Sequence, residues 1–169
     1  NSEVERLSAA GMIIPFDPDE ANSVFYSGEY KKSDRKSQSL LKKLRDRETE
    51  FDQANNALSL LGSEISRVTG KGMIIPYTTE EVEALIGEGN YKKAAKLAEE
   101  TIRKIRELES DYDIVINLFE IIKDEIDLLT LRGVIVPFGT AELEELINTG
   151  RYGEAVPVAK DLLARLRKL

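Results

Sequence analysis

One segment occurs three times at a constant interval: GMIIPF at 11–16, GMIIPY at 72–77 and GVIVPF at 133–138, each 61 residues after the last. The register continues without a gap through Glu20, Glu81 and Glu142, then Gly28, Gly89 and Gly150, then Tyr30, Tyr91 and Tyr152. Self-similarity of this period marks a chain built from one supersecondary unit used repeatedly. Carried backwards, the interval matches Glu3, Val4, Arg6 and Leu7 with Glu64, Ile65, Arg67 and Val68, and then Glu125, Ile126 and Leu129. Residues 1–8 therefore read as the tail of a helix whose body precedes them, and Leu169 falls at the position of Leu108, in mid-helix. Both ends look like cuts through a longer array. The opening NSEVERLS has neither a basic nor an apolar region of the kind a signal peptide needs.

Within each copy the pattern is helical. From Tyr91 to Leu131 there is no Gly or Pro, and apolar residues fall at 91, 95, 98, 102, 105, 108, 112, 115, 119, 122, 126 and 129, in steps of three and four. This predicts one helix of about 41 residues, roughly 60 Å long at 1.5 Å per residue. The alternative is a break near Ser110 and Asp113, which could cap a fresh helix. Copy one repeats the pattern from Tyr30 to Thr69, with Leu41, Leu44, Phe51, Ala54, Leu58, Leu61, Ile65 and Val68 on the expected buried face.

A short helix is expected before each long one, started by Thr78 with Glu81, by Asp17, Pro18 and Glu20, and in copy three by Gly139 with Glu142. It ends at Gly28, Gly89 or Gly150, where a tight turn favours a left-handed residue. The segment around GMIIP reads as an extended strap: its Gly stops the preceding helix, its Pro delays the next, and its Met or Val and Ile side chains cover the bundle interior. Pro157, well past the first turn of the last helix, predicts a kink. Copy one replaces Ala94, Ala95 and Ala98 by Ser33, Asp34 and Ser37, which suits a cap-like unit or one lacking a neighbour.

The expected fold is all-α: tandem 61-residue repeats, each a strap, a short helix and a long helix. Strap and short helix run back along the long helix, so successive long helices lie parallel and staggered, forming three-helix bundles in an elongated rod. The units divide at 1–49, 50–109 and 110–169. Charge follows the same plan. Residues 31–47 carry eight basic and two acidic side chains, residues 107–127 eight acidic and one basic, so each basic N-terminal half would lie beside an acidic C-terminal half and an acidic short helix.

At the turns, GEGNYKKAAKLAEETI and NTGRYGEAVPVAKDLL resemble the helix-turn-helix of tetratricopeptide repeats through Gly89, Tyr91, Ala94 and Ala98, and Gly150, Tyr152, Ala155 and Ala159. The resemblance covers about 16 residues per copy and implies close helix pairing, with Ala at the contact and Tyr packed over the turn. The 61-residue period, the missing first-helix signature and the intervening strap depart from that family, so no peptide groove is carried over. The shared-helix plan is similar to that of spectrin-type rods.

Composition narrows the chemistry. The chain has 169 residues with no Cys and no His. That excludes thiol nucleophiles, imidazole bases, Ser-His-Asp triads and the usual zinc sites. A net charge of −7 argues against a dedicated nucleic-acid binder. No apolar run approaches the roughly 20 residues that span a bilayer. Gly70, Lys71 and Gly72 lack the spacing of a phosphate loop. Asp17, Asp19 and Glu20 lack the Gly and Glu that a calcium loop needs at Asn22 and Gly28. Glu107 with Asp111, and Glu109 with Asp113, place two carboxylates on one face, which without His partners reads as a solvated acidic surface. The expectation is a non-enzymatic spacer or protein-protein interaction scaffold in a soluble compartment, a fragment of a longer tandem-repeat protein. It has no catalytic residues, cofactor or metal, and an unidentified protein partner. The alternative is a compact bundle that binds a ligand or nucleic acid through the basic face of 31–47, with Arg35 and Lys42 as its test positions.

Overall fold

The computed structural model describes residues 2–15, 17, 19, 23, 26, 28 and 30–169. Among these the regular structure is entirely helical: α1 (Ser2–Ala9), α2 (Tyr30–Gly70), α3 (Glu80–Gly87), α4 (Tyr91–Leu131), α5 (Ala141–Asn148) and α6 (Tyr152–Leu166). Helices α2 and α4 each run 41 residues, and α3 and α5 each run 8. Helix α4 passes Ser110 without interruption. The Ser110 hydroxyl and the Asp113 carboxylate open no new helix, because the backbone donors there are already used within α4. Pro18 and Glu20, expected to open the first short helix, lie outside the described residues.

Helices α1, α2 and α4 stop in the same way. Met73 N–H reaches Val68 O at 3.1 Å and Gly72 N–H reaches Thr69 O at 2.9 Å, while Met12 and Val134 close the same six-residue ring on Leu7 and Leu129. These paired bonds satisfy carbonyls that the helix end would orphan, and they require a left-handed residue, supplied by Gly72 at φ +94°.

The short helices begin one residue later than the sequence suggests. Their caps are Thr79 and Thr140 rather than Thr78 and Gly139. In each case the threonine hydroxyl donates to a carboxylate four residues on, Thr79 to Glu83 at 2.6 Å and Thr140 to Glu144 at 2.5 Å, and no side chain caps a backbone amide. Glu81 and Glu142 are thus not the cap partners. Asp17 does accept the amide of Asp19 at 2.9 Å. Helix α6 continues through Pro157, which is exposed and has Gly153 four residues before it. The ring therefore faces a carbonyl on the solvent side, where its loss as a hydrogen-bond acceptor is cheapest.

The chain divides into two compact units, Asn1–Gly62 with Thr78–Glu99, and Ser63–Tyr77 with Glu100–Leu169. In the first, Leu7, Met12, Leu44, Ala54, Leu61 and Val82 are buried; in the second, so are Val68, Met73, Ile105, Val115, Ile122 and Leu143, each 61 residues further on. Ala94 and Ala98 likewise correspond to Ala155 and Ala159, all four without exposed surface, and their missing bulk lets α4 and α6 approach their neighbours closely. All twelve apolar positions expected in α4 are buried or half-buried.

Three details differ from the expected core. Leu41 is 43% exposed, and Leu40 takes its place inside, which keeps the step of four to Leu44. Thr101 and Ser33 are buried although polar. In the strap the Met side chains are buried as expected, but the Ile that follows is not: Ile13 is 40% exposed and Ile74 51%. Successive residues of an extended segment point to opposite sides, so only alternate ones can enter the core.

Candidate functional site

The most elaborated local arrangement is where strap meets turn. In the first unit, Tyr91 opens α4 with its side chain fully inside, and its hydroxyl accepts the backbone N–H of Ile13 at 2.7 Å. Arg47 of α2 donates from Nε to Ile13 O at 2.7 Å and from Nη2 to Gly89 O at 3.1 Å, while its guanidinium lies 4.7 Å from the Tyr91 ring centre. Phe51 meets the same ring edge-on at 5.2 Å. A single cation thereby ties strap, turn and two helices together, with the aromatic face adding attraction.

The second unit repeats the plan with other residues. The Tyr152 hydroxyl accepts Ile74 N–H at 2.7 Å, and Tyr112 stands in Phe51's place, edge-on to Tyr152 at 5.1 Å. The position of Arg47 is occupied by Leu108. Compensation comes from Tyr112, whose hydroxyl donates to Lys71 O at 3.2 Å, and from Lys71, whose ammonium is 5.7 Å from the Tyr112 ring centre. Burial pushes the Tyr152 hydroxyl's pKa up against the opposing effect of the Ile74 amide. In both units strap isoleucine and tyrosine are 78 residues apart.

The tyrosine's part was missed in the sequence, where it reads as packing over the turn. The signal was present: Tyr, never Phe, stands at 30, 91 and 152, always at the same distance from a strap. A hydroxyl retained at an apolar position implies a buried polar partner. The glycine of the motif also has a second role beyond its positive φ. A Cβ on Gly150 would lie 2.7 Å from Ile74 O, so the strap passes where a side chain would be.

Beside the clamp runs a set of ion pairs with the same periodicity. Arg6 bonds Glu3 at 2.8 Å and Glu48 at 2.6 Å; Arg67 bonds Glu64 at 3.0 Å and also Glu109. Arg106 adds a contact to Glu64, and Lys71 bonds Glu109 at 3.0 Å and Asp113 at 2.5 Å. The carboxylates expected to form a solvated face are thus partly engaged: Glu109 retains only 16% of its side-chain exposure, between two cations. The Arg67 hydrogen bond, then that of Lys71, holds its pKa down at about 2. Lys71, between the two glycines that superficially suggest a phosphate loop, serves here as an acid's partner.

Because Glu109 is more acidic folded than unfolded, its contribution is complete above its ordinary pKa and disappears as pH falls through the folded value. Glu109→Gln is expected to lower stability by about 1.5–2 kcal/mol at neutral pH, at the lower end of the range for hydrogen bonds to charged groups. Urea midpoints of the two proteins should converge between about pH 4.5 and 2, the window set by the ordinary and folded values. A difference independent of pH would show that Glu109's charge does not matter.

The basic segment 31–47 is divided by the fold. Arg35 and Lys42 are exposed, whereas Arg47 is withdrawn into the clamp. Among the described residues no group of three or more acids could hold a metal ion. An open cleft of about 310 Å³ in the second unit is lined by Glu142, Glu145, Leu146, Arg151, Glu154 and Val158, and its one cation, Arg151, bonds Glu154 at 2.9 Å. No helix among the described residues is long and apolar enough to cross a membrane. No known protein family matches the chain, and neither a curated protein nor a solved structure does. The class is therefore stated from the fold alone: an all-α protein with helical bundle packing.

Proposed function

We propose that this chain is a non-enzymatic structural spacer and protein-protein interaction scaffold built from 61-residue helical units. The observation that carries this reading is the pair of unbroken 41-residue helices, α2 and α4. Each is roughly 60 Å long at 1.5 Å per residue, about twice the diameter of a small domain. Such a helix is economical in a rod of staggered three-helix bundles, where one bundle takes its first half and the next its second. The clamp suits a spacing element, because strap, turn and two helices are joined at one aromatic centre. The lack of Cys and His in the whole chain leaves few residues for catalysis.

Small-angle X-ray scattering at low concentration tests the reading. A compact chain of this length has a radius of gyration of about 15–16 Å by size scaling. Three units advancing about 30 Å each, at the helical rise of the α-helix, make a rod of roughly 90–100 Å with nearly twice that radius. The larger value is expected; the smaller would overturn the spacer.

A further inference from the structure

The two long helices offer an internal comparison, since each position of α2 has a counterpart in α4 at 61 residues. Inward positions stay apolar: Ala54, Leu61 and Val68 correspond to Val115, Ile122 and Leu129, and all six are buried. One residue earlier the two helices diverge at two of the three positions. Helix α2 has Gln53, Leu60 and Arg67, whereas α4 has Ile114, Ile121 and Leu128. These three are 40%, 44% and 49% exposed, and Leu60 at the same position of α2 is 64% exposed, so the fold itself does not cover this line. Of the residues immediately before them, Asp52 is kept as Asp113, whereas Ser59 and Ser66 in α2 become Glu120 and Asp127 in α4, and all three acids of α4 are exposed.

The result is a seam of large aliphatic side chains at seven-residue spacing, with an acid beside each. Scattered exposed leucines need no explanation, but one aliphatic side chain every seven residues makes a continuous line along the helix at one of the two apolar positions of a heptad, and its acidic flanks set the charge a docked helix must carry. Asp124 and Asn117 lie exposed along the same outer face. Glu109 and Asp113 already bond Arg67 and Lys71, but Glu120, Asp124 and Asp127 stand exposed along this face, so a second copy laid on the seam would bring acid against acid. Charge complementarity instead selects a partner with Lys and Arg.

We infer that the outer face of α4 docks a basic amphipathic helix of a partner protein, its apolar edge along Ile114, Ile121 and Leu128 and its cations against Glu120 and Asp127. This deepens the scaffold reading by giving the partner a chemistry, and it rests on that reading. A seven-residue line drifts by about 20° per heptad around a straight helix, so the docked helix wraps α4 with a left-handed inclination.

The test uses the full chain and a fluorescent 21-residue helical peptide with Leu at its a and d positions and Lys at e and g, alongside the same peptide with Glu for Lys. Fluorescence anisotropy at physiological salt is expected to show binding of the basic peptide and at least tenfold weaker binding of the acidic one. Ile121→Ser, and separately Glu120→Lys with Asp127→Lys, should each weaken the basic peptide at least tenfold, while Leu60→Ser leaves it unchanged. Circular dichroism checks that each variant is folded. Ile121 is half-exposed and its replacement by Ser leaves the buried face intact; should it nevertheless unfold, the charge reversal on exposed residues decides the matter. No binding, equal binding of both peptides, or undiminished binding by folded Ile121→Ser would overturn the proposal, the last meaning attraction by net charge only. Dimerisation of the chain alone, abolished by Ile121→Ser, would overturn it in favour of a second copy. Scattering from the chain without peptide is unaffected by these outcomes, so the spacer stands or falls separately.

Discussion

Gly150→Ala is expected to destabilise the second unit by about 3 kcal/mol or more, the sum of two separable effects. The first is conformational. Gly150 sits at φ +73°, and an L-residue held in that region costs about 1–2 kcal/mol. The second is steric, because the new Cβ would lie 2.7 Å from the Ile74 carbonyl oxygen, a backbone atom that cannot rotate away. The strap must lift, and lifting it strains the hydrogen bond from Ile74 to Tyr152. Gly133→Ala provides the control. Its φ is +78° but its Cβ would meet nothing within 4 Å among the described residues, so only the conformational cost of about 1–2 kcal/mol applies. Gly89→Ala should fall between the two, since the nearest atom there is the end of the flexible Arg47 side chain at 2.7 Å. Urea unfolding of the three variants measures the order. Equal losses at positions 150 and 133 would mean that the close approach of the strap contributes nothing.

The second large effect is expected at Tyr152, where truncation and removal of the hydroxyl separate packing from hydrogen bonding. Tyr152→Ala should cost about 3–5 kcal/mol, as for other large aromatic side chains deleted from a core. The ring is 1% exposed and its loss also removes the edge contact with Tyr112. Tyr152→Phe keeps the ring and leaves the Ile74 amide without its acceptor, at about 1–3 kcal/mol for an unsatisfied, part-buried donor. Hydrogen exchange locates the loss. The Ile74 amide should exchange faster in the Phe variant while the Ile13 amide, held by Tyr91, keeps its protection. Unchanged protection at Ile74 in Tyr152→Phe would show that the strap is held by its side chains and not by the tyrosine.

At the turn before α4 the residues divide their work: Ala94 and Ala98 have zero exposure at the helix contact, while the Tyr91 hydroxyl and the open side of Gly89 serve the strap.

Much of this architecture was readable from residues alone, and the readable part is local. The helical period between Tyr91 and Leu131, the glycines that end helices with left-handed turns, and the proline that delays the next helix all act over at most a few residues. A copy 61 residues away repeats each signal, which is why both long helices could be placed from their tyrosine starts. The acidic and basic halves were likewise legible, as a difference between stretches. What tertiary structure decided is whatever depends on atoms distant in sequence. Leu40 and not Leu41 enters the core because the neighbouring helices cover that side of α2, and period alone permits either. Glu109 is paired because Arg67, at the end of the preceding long helix, lies beside it, 42 residues back. The Tyr91 hydroxyl finds Ile13 across 78 residues, a partner that no local preference names. Local propensities act through the backbone of a few residues, whereas hydrogen-bond and ion partners are chosen by the packing of whole helices, so the first are written in the chain and the second exist only once it has folded.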